Sequence, residues 1–516
     1  MMTLKRMITA LAAVLAAAGC ARAGGVSESL TDASLKALCK DLPFGMEAVS
    51  LPKIPSRKVL LTDFGAVGDG RTLNTDAFAK AVESLSAKGG GHLIVPAGIW
   101  LTGPIGLESG IDLHLEQGAV ILFSPDRDLY PIIGTSFEGL DCRRCESPVH
   151  ADGAVNVAIT GRGVIDGCGD AWRAVKKSKL TSSQWKAKLA SGGVLSEDGK
   201  CWYPDEGYME AEKNADMNVP RGIETEEQWQ RIKSFLRPVM ISLRNCENVF
   251  LEGVTFQNSP SWNIHPLLCK NLVINEITVR NPVYSQNGDG IDIESCERSV
   301  LLNSSFDCGD DGICIKSGKD EDGRRRGVPC RGLLVDGCTV YKGHGGFVVG
   351  SEMSGGVEDI LVRNCRFLGT DVGLRFKSRR GRGGIVRNIW IEKISMMDIV
   401  TEPLLFDLHY GGKSAVEAAE EGSETIVTHA VADETTPSFR DIHIKDIVCH
   451  GAARAMYFNG IPEMPVHNVT VENCIITSRK GAEISYAEYV TLRGVDILNS
   501  EGERLTVRNS QNVTEE

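Results

Sequence analysis

The 516-residue sequence is poor in aromatic residues, at 6%, has no excess of basic side chains, and contains no apolar run long enough to cross a bilayer, its N-terminal stretch being too short. With 56 Lys and Arg against 68 Asp and Glu, the formal charge is −12. That balance argues against a grip on a nucleic-acid backbone spread over the whole surface. An anionic ligand would have to be met by basic residues gathered in one place. No phosphate-cradling glycine loop and no Ser/His nucleophile signature is found. What is abundant is glycine, 56 residues, and cysteine, 16. The glycines mark many tight turns; the cysteines leave disulfides, metal ligands and small buried side chains open.

At the N-terminus Lys5 and Arg6 precede a short apolar run, Met7 to Ala18, followed by small residues, the pattern of an export signal. Two processing sites compete. Ala21-Arg22-Ala23 fits a small-x-small cleavage site with Gly24 as the new terminus, and Ala17-Ala18-Gly19-Cys20 resembles a bacterial lipoprotein box with Cys20 as the lipidated residue, the reading slightly favoured. The expected organisation is a signal over 1–23, an N-terminal extension over 24–58 and one domain over 59–516. The protein is expected in the periplasm or anchored to the outer membrane of a bacterium, Cys20 being its one membrane attachment.

A phrase recurs from the middle of the chain onward: NVFLEGVTF from Asn248, NLVINEITV from Asn271, SVLLNSSF from Ser299, GLLVDGCTV from Gly332, DILVRNCRF from Asp359, and on to YVTLRGVDI from Tyr489. The first aliphatics, Val249, Leu272, Val300, Leu333, Ile360, Ile389, Ile442, Val469 and Val490, are one coil apart, with one longer gap after Ile389 that reads as an insertion within a coil. Alternation of aliphatic and other residues marks strands with one inward face, and the Gly, Asn and acidic residues between them mark bends. Three short strands per repeat, stacked, make a parallel β-helix. The longer leucine-and-asparagine signature of a leucine-rich horseshoe is absent. HLIVP at His92, IDLHL at Ile111 and VNVAI at Val155 extend the coils upstream, so the solenoid is expected from about Val59 to Arg508, with Asp76 to Ala87 as an amphipathic cap on its open end. Between 166 and 237 the pattern breaks into an insertion rich in Trp and Tyr, expected to wall the binding site.

Successive coils carry polar clusters at nearly coil spacing: Asn287-Gly288-Asp289 with Asp292, then Asp310-Asp311, then Gly343-His344-Gly345, then Arg375-Phe376-Lys377. Residues one coil apart lie about 4.8 Å from each other. Asp289 and Asp310 are one coil apart, so Asp289, Asp310 and Asp311 are expected to face one another. Cleavage of a glycosidic bond needs one carboxylic acid to protonate the leaving oxygen and a second carboxylate to activate water or attack the sugar. Crowded carboxylates cannot all ionise freely, so one is expected to keep its proton near neutrality and serve as the acid.

These motifs, in this order, resemble glycoside hydrolase family 28, the polygalacturonases and their relatives. FGAVGDG from Phe64, NTDAF from Asn74 and VPAGIWLTGPI from Val95 extend the likeness over nearly the whole chain after the signal. Two positions depart from the family pattern, Gly288 where many endo-acting members have Thr and Phe376 in place of the usual Ile. The resemblance implies an all-β, single-stranded, right-handed parallel β-helix of the pectin-lyase type. It implies inverting hydrolysis of α-1,4-galacturonosyl linkages without metal or other cofactor. By motif, Asp310 would be the general acid, Asp289 and Asp311 would hold and activate water, and His344 would support the acid. Arg375 and Lys377 would bind the sugar carboxylate, Asn287 would orient its neighbours, and Tyr410 would add a sugar contact. Inversion leads one to expect an acid-to-base separation of about 6.5–9.5 Å.

SPSWNIHP at Ser259, GSEMSGG at Gly350 and KSRRGRGG at Lys377 look like the exo-polygalacturonase branch, which implies attack from the non-reducing end of an anionic polysaccharide by a monomeric enzyme. Rhamnogalacturonan or xylogalacturonan hydrolysis is the nearest alternative; a Ca²⁺-dependent lyase or a non-catalytic binder is more distant. The basic runs Arg375 to Arg382 and Arg324 to Arg326 are further candidates for pairing with uronate carboxylates. Cys142-x-x-Cys145 has metal-like spacing without a second pair, and a local disulfide is a reading of at least equal weight. The cysteines in the coil phrases are expected as buried thiols.

Overall fold

The computed structural model describes residues 30–411 and 431–516. The stretch read as an export signal, with Cys20, lies outside them. Each coil contributes a strand to three parallel sheets. Ile241–Arg244, Glu247–Glu252 and Thr255–Gln257 make one coil, and Ile264–Leu267, Lys270–Asn275 and Thr278–Arg280 the next, each strand pairing with its counterpart one coil on. This is the parallel solenoid the repeat predicts, and a last strand, Gln511–Glu515, carries it past Arg508.

The repeat register holds with one slip. Val249 pairs with Leu272, Ile360 with Ile389, and Ile389 with Ile442, so the long gap is indeed a single coil. Opposite Leu272, however, stands Ser299, not Val300. Val300 points outward and is buried there, because the N-terminal extension crosses that face. Its helix, Asp32–Lys40, and the chain after it set Leu35, Cys39 and Val49 against Val273, Val300, Leu302, Leu334 and Leu361. A covered outer face is apolar too, and alternation no longer tells inside from outside.

Inside, the core is a continuous column of fully buried aliphatics. Burying each contributes about 1.5–3 kcal/mol. Asn and Asp open the phrases because that position is left-handed: φ is 57° at Asn248, 56° at Asn271, 59° at Asp359 and 55° at Asn388. These short polar side chains tolerate the conformation and bond along the stack. Asn271 Nδ2 donates to Asn248 Oδ1 at 2.8 Å and Asn388 Nδ2 to Asp359 Oδ1 at 3.0 Å.

The cap is the helix Thr75–Ser86, which lays Ala77, Phe78, Ala81, Val82 and Leu85 over the first coil. Asn74 secures its start: its Oδ1 accepts from Val67 N–H and its Nδ2 donates to the Thr72 carbonyl, both at 2.8 Å. A side chain at Gly68 would meet the Trp100 ring at 2.9 Å, which accounts for glycine in that loop.

All described cysteines are free thiols. Cys246, Cys269, Cys296 and Cys330 are buried at equivalent points of successive coils. Cys142 and Cys145 form neither disulfide nor metal pair. They lie three apart on the strand Leu140–Cys145, so their side chains leave by opposite faces, Cys145 into the core of the insertion and Cys142 beside Phe137, Val239 and Trp262.

Candidate active site

The sheet of Ile241–Arg244 and Ile264–Leu267 carries the polar clusters. Ile291–Glu294 pairs with Asp311–Lys316, setting Ile291 beside Ile313. Two residues back, the Gly290 N–H donates to the Asp311 carbonyl at 2.9 Å, so the rung partner of Asp289 is Asp311, one residue beyond the Asp310 that coil spacing suggests. Asp311 pairs in turn with Gly345, which places His344 over Asp310. The three carboxyl groups of Asp289, Asp310 and Asp311 each present an oxygen within 4.8 Å of the others. That is tighter than the wide separation expected for inversion, because adjacent rungs of a parallel sheet fix it.

The four motifs converge. His344 Nδ1 lies 3.0 Å from Asp310 Oδ1. Lys377 Nζ donates to Asp311 Oδ2 at 2.7 Å and Arg375 Nη1 to Asp311 Oδ1 at 3.2 Å. The Tyr410 ring lies over both cations, 4.9 Å from Lys377 Nζ and 5.8 Å from the Arg375 guanidinium carbon. A Cβ at Gly345 would meet Val348 Cγ2 at 2.4 Å, which accounts for glycine opposite Asp311. Both departures from the family pattern have local causes. A side chain at Gly288 would strike Ser285 Oγ at 2.0 Å, and Phe376 points inward to stack on Phe406 at 4.6 Å.

Environment divides the carboxyl groups. Burial, reinforced by the charges of Asp292, Asp310 and Asp311, pushes the Asp289 carboxyl well above the usual carboxylate range. Burial alone would do the same to Asp311, but the Lys377 ammonium and the Arg375 guanidinium reverse it and hold that carboxyl well below the range. Asp310 is the group open to solvent, its side chain 22% exposed against 2% for Asp311. The hydrogen bond to Asp310, working against burial, raises the His344 imidazole. The carboxyls that burial pushes up are thus Asp289 and the neighbouring Asp292. A divalent cation could bridge carboxylates at this spacing, but Lys377 and Arg375 already neutralise Asp311 and would repel it.

The wall of the site is built differently from the expectation. A hairpin the sequence did not signal, Ile132–Phe137 with Leu140–Cys145, arches over the coil faces preceding Asp289. Phe137 packs on Trp262 at 4.7 Å, and the Lys319 N–H donates to the Gly139 carbonyl at 3.0 Å, joining the arch to the loop after the Asp311 strand. The insertion supports it: Asn218 Nδ2 donates to Glu138 Oε1 at 2.6 Å and Arg144 Nε to the Arg237 carbonyl at 2.6 Å. The hairpin thus reaches from Trp262, on the coil before Asp289, to the loop after the Asp311 strand. The insertion's aromatics do not line it; Trp172, Tyr203 and Tyr208 form its own small core, and Trp185 and Trp202 a second one. A segment that leaves the solenoid must bury its own apolar surface.

Asn287 does not touch the carboxylates. Its Oδ1 accepts from Arg237 Nη2 at 2.8 Å and so fastens the wall. The arginines of the helix Asp320–Arg326 are also engaged in structure, Arg326 with Glu294 at 2.7 Å, Arg325 with Asp322 at 2.7 Å and Arg324 with the Arg382 carbonyl at 3.1 Å. Arg380 is taken by Glu463, and Arg382 by Asp320. Of the two basic runs, Arg375 and Lys377 pair with the carboxylate Asp311.

A profile of the Glycosyl hydrolases family 28 matches residues 229–494. A probable polygalacturonase of Vitis vinifera is 30% identical over 443 residues, 84% of this chain and 77% of the relative. The exo-poly-alpha-D-galacturonosidase of Dickeya chrysanthemi is 29% identical over 369 residues, 70% of this chain but 58% of the relative, so this chain spans little more than half of that protein. Among solved structures, a hyperthermoactive exopolygalacturonase from Thermotoga maritima superposes with a TM-score of 0.69 at 31% identity, covering 91% of this chain and 97% of that one.

Proposed function

The chain belongs to the glycosyl hydrolases family 28, and from that membership we propose that it hydrolyses α-1,4-galacturonosyl linkages of polygalacturonate, working inward from the non-reducing end with inversion. In this reading Asp310, the solvent-facing carboxyl, protonates the leaving oxygen. The adjoining His344 stabilises the carboxylate left behind and returns a proton to it. Asp311, fixed as an anion by two cations, orients the attacking water, and Asp289 takes its proton. Asp289, on the rung beside Asp311, stands where it can receive that proton.

A carboxylate held by both Lys377 and Arg375 is a weak nucleophile, and this favours attack by water over covalent capture of the sugar despite the short carboxylate spacing. Arg375 and Lys377 are the cations beside the carboxylates that a uronate would meet, and Tyr410 offers a face beside them. Lys377 is unsuited to the base role a lyase would require, since Asp311 pushes its ammonium above the ordinary range against the effect of burial. Export, with either lipidation at Cys20 or cleavage after Ala23, belongs to the same proposal.

The observation that carries end-on attack is the arch over the coils preceding Asp289. Polygalacturonate treated with the enzyme should gain reducing ends while its viscosity falls slowly, with no new absorbance near 235 nm (about the wavelength of a lyase's unsaturated product). An early collapse of viscosity would mean attack within the chain, and rising absorbance would mean elimination.

A further inference from the structure

Behind the carboxylates lies a second layer of buried charge with no role in the steps above. Lys316, at the end of the strand Asp311–Lys316, is 3% exposed. Its Nζ sits 2.8 Å from Glu352 Oε2 and 3.6 Å from Asp292 Oδ1, with the Trp262 ring 4.6 Å away. Asp292 is fully buried, and neither of its oxygens has a hydrogen-bond partner among the described residues. Asp289 Oδ1 is unpartnered in the same way.

We propose that Lys316 is a positioning residue, the buried counter-ion that allows Asp289 to work as a carboxylate while Asp292 and Asp311 stand beside it. The inference rests on the reading of Asp289 as the group that takes the water's proton. Side-by-side buried acids suppress one another's ionisation unless a cation faces them. Lys377 and Arg375 are committed to Asp311, and Lys316 is the cation 3.6 Å from Asp292, its charge acting on Asp289 as well.

The surroundings are otherwise accounted for. Asp310 and Asp311 act on Asp289 across the rung, and the thiols of Cys308 and Cys314 lie close by. Glu294, beside Lys316 in register, is itself paired with His265 and Arg326. Glu352 is the anion that competes for Lys316; Lys377 and Arg382 also act on it, and Glu138 of the arch faces it. Burial alone would push the Lys316 ammonium down, but Cys314, Glu352 and Asp292 raise it, so it stays a cation.

The test is the pH dependence of kcat/KM on polygalacturonate. In Lys316→Met the acidic limb should move to higher pH by about one unit, a tenfold loss on the acid side. In Glu352→Gln, which frees Lys316 from its competitor, the limb should move to lower pH, and Lys316→Arg should restore the wild-type position. Opposite shifts in the first two variants support the proposal; an unmoved limb, or shifts of the same sign, overturn it. Should Lys316→Met fail to fold, Glu352→Gln decides alone, an acid shift supporting the proposal and any other result overturning it. Asp289→Asn is assayed beside them. Activity surviving in that variant refutes the reading of Asp289, whereas an inactive Asp289→Asn with unmoved limbs elsewhere leaves that reading standing and refutes the role of Lys316.

Discussion

Asp310→Asn is expected to lower kcat on polygalacturonate by about three to four orders of magnitude with little change in KM. The amide fits the same space, and its oxygen can still accept the Asp311 N–H, which the Asp310 Oδ1 now receives at 3.0 Å. The side chain is partly open to solvent and belongs to no buried ion pair, so folding should be unaffected. What is lost is the proton for the leaving oxygen. An aryl galacturonide whose phenol departs without help should therefore lose far less activity than the polymer. Equal losses on both substrates would remove Asp310 from the acid role. The His344 imidazole, raised by its bond to Asp310, should also titrate at lower pH in the variant, an effect visible by proton NMR.

Lys377→Met is expected to cost about 3–5 kcal/mol of stability and nearly all activity, because it strands the buried Asp311 carboxylate with Arg375 alone. Adding Asp311→Asn should restore much of the stability and none of the activity, which separates the charge from the packing. Denaturant unfolding of both variants provides the comparison. The pH window follows from the two shifts. The depressed Asp311 contributes stability above the ordinary carboxylate range, lost as pH falls through its lowered value. The elevated Lys377 contributes stability below the ordinary lysine range, lost as pH rises through its raised value. Between those limits the pair is intact, and the penalty of Lys377→Met should be largest there and shrink in acid. A penalty that does not depend on pH would mean that the pair contributes through packing alone.

The solenoid was legible in the phrases because each coil needs an inward aliphatic, as Val249 and Leu272 show, and a short polar residue where the chain turns left-handed, as at Asn248 and Asn271. The slip at Val300 arose where the N-terminal extension covers the outer face and erases the contrast on which alternation depends. Asp289, Asp310, Asp311, His344, Arg375 and Lys377 were recognisable because chemistry confines them to stacked positions. The arch was not. Phe137 and Gly139 are ordinary hairpin residues, and their contacts with Trp262 and Lys319 exist only once distant segments have folded together. Lys316 did leave a trace, a second charged residue on the strand that Asp311 opens, but only burial beside Asp292 and Glu352 turns that trace into a counter-ion.

The most direct measurement is product analysis on oligogalacturonides labelled at the reducing end, with Asp310→Asn as the control. Hydrolysis from the non-reducing end at a walled cleft predicts that the label shortens stepwise through every intermediate length while unlabelled mono- or short galacturonides accumulate, and that the control shows none of this. Label appearing at once in a spread of short fragments, release of the labelled unit first, or full cleavage by Asp310→Asn would contradict it.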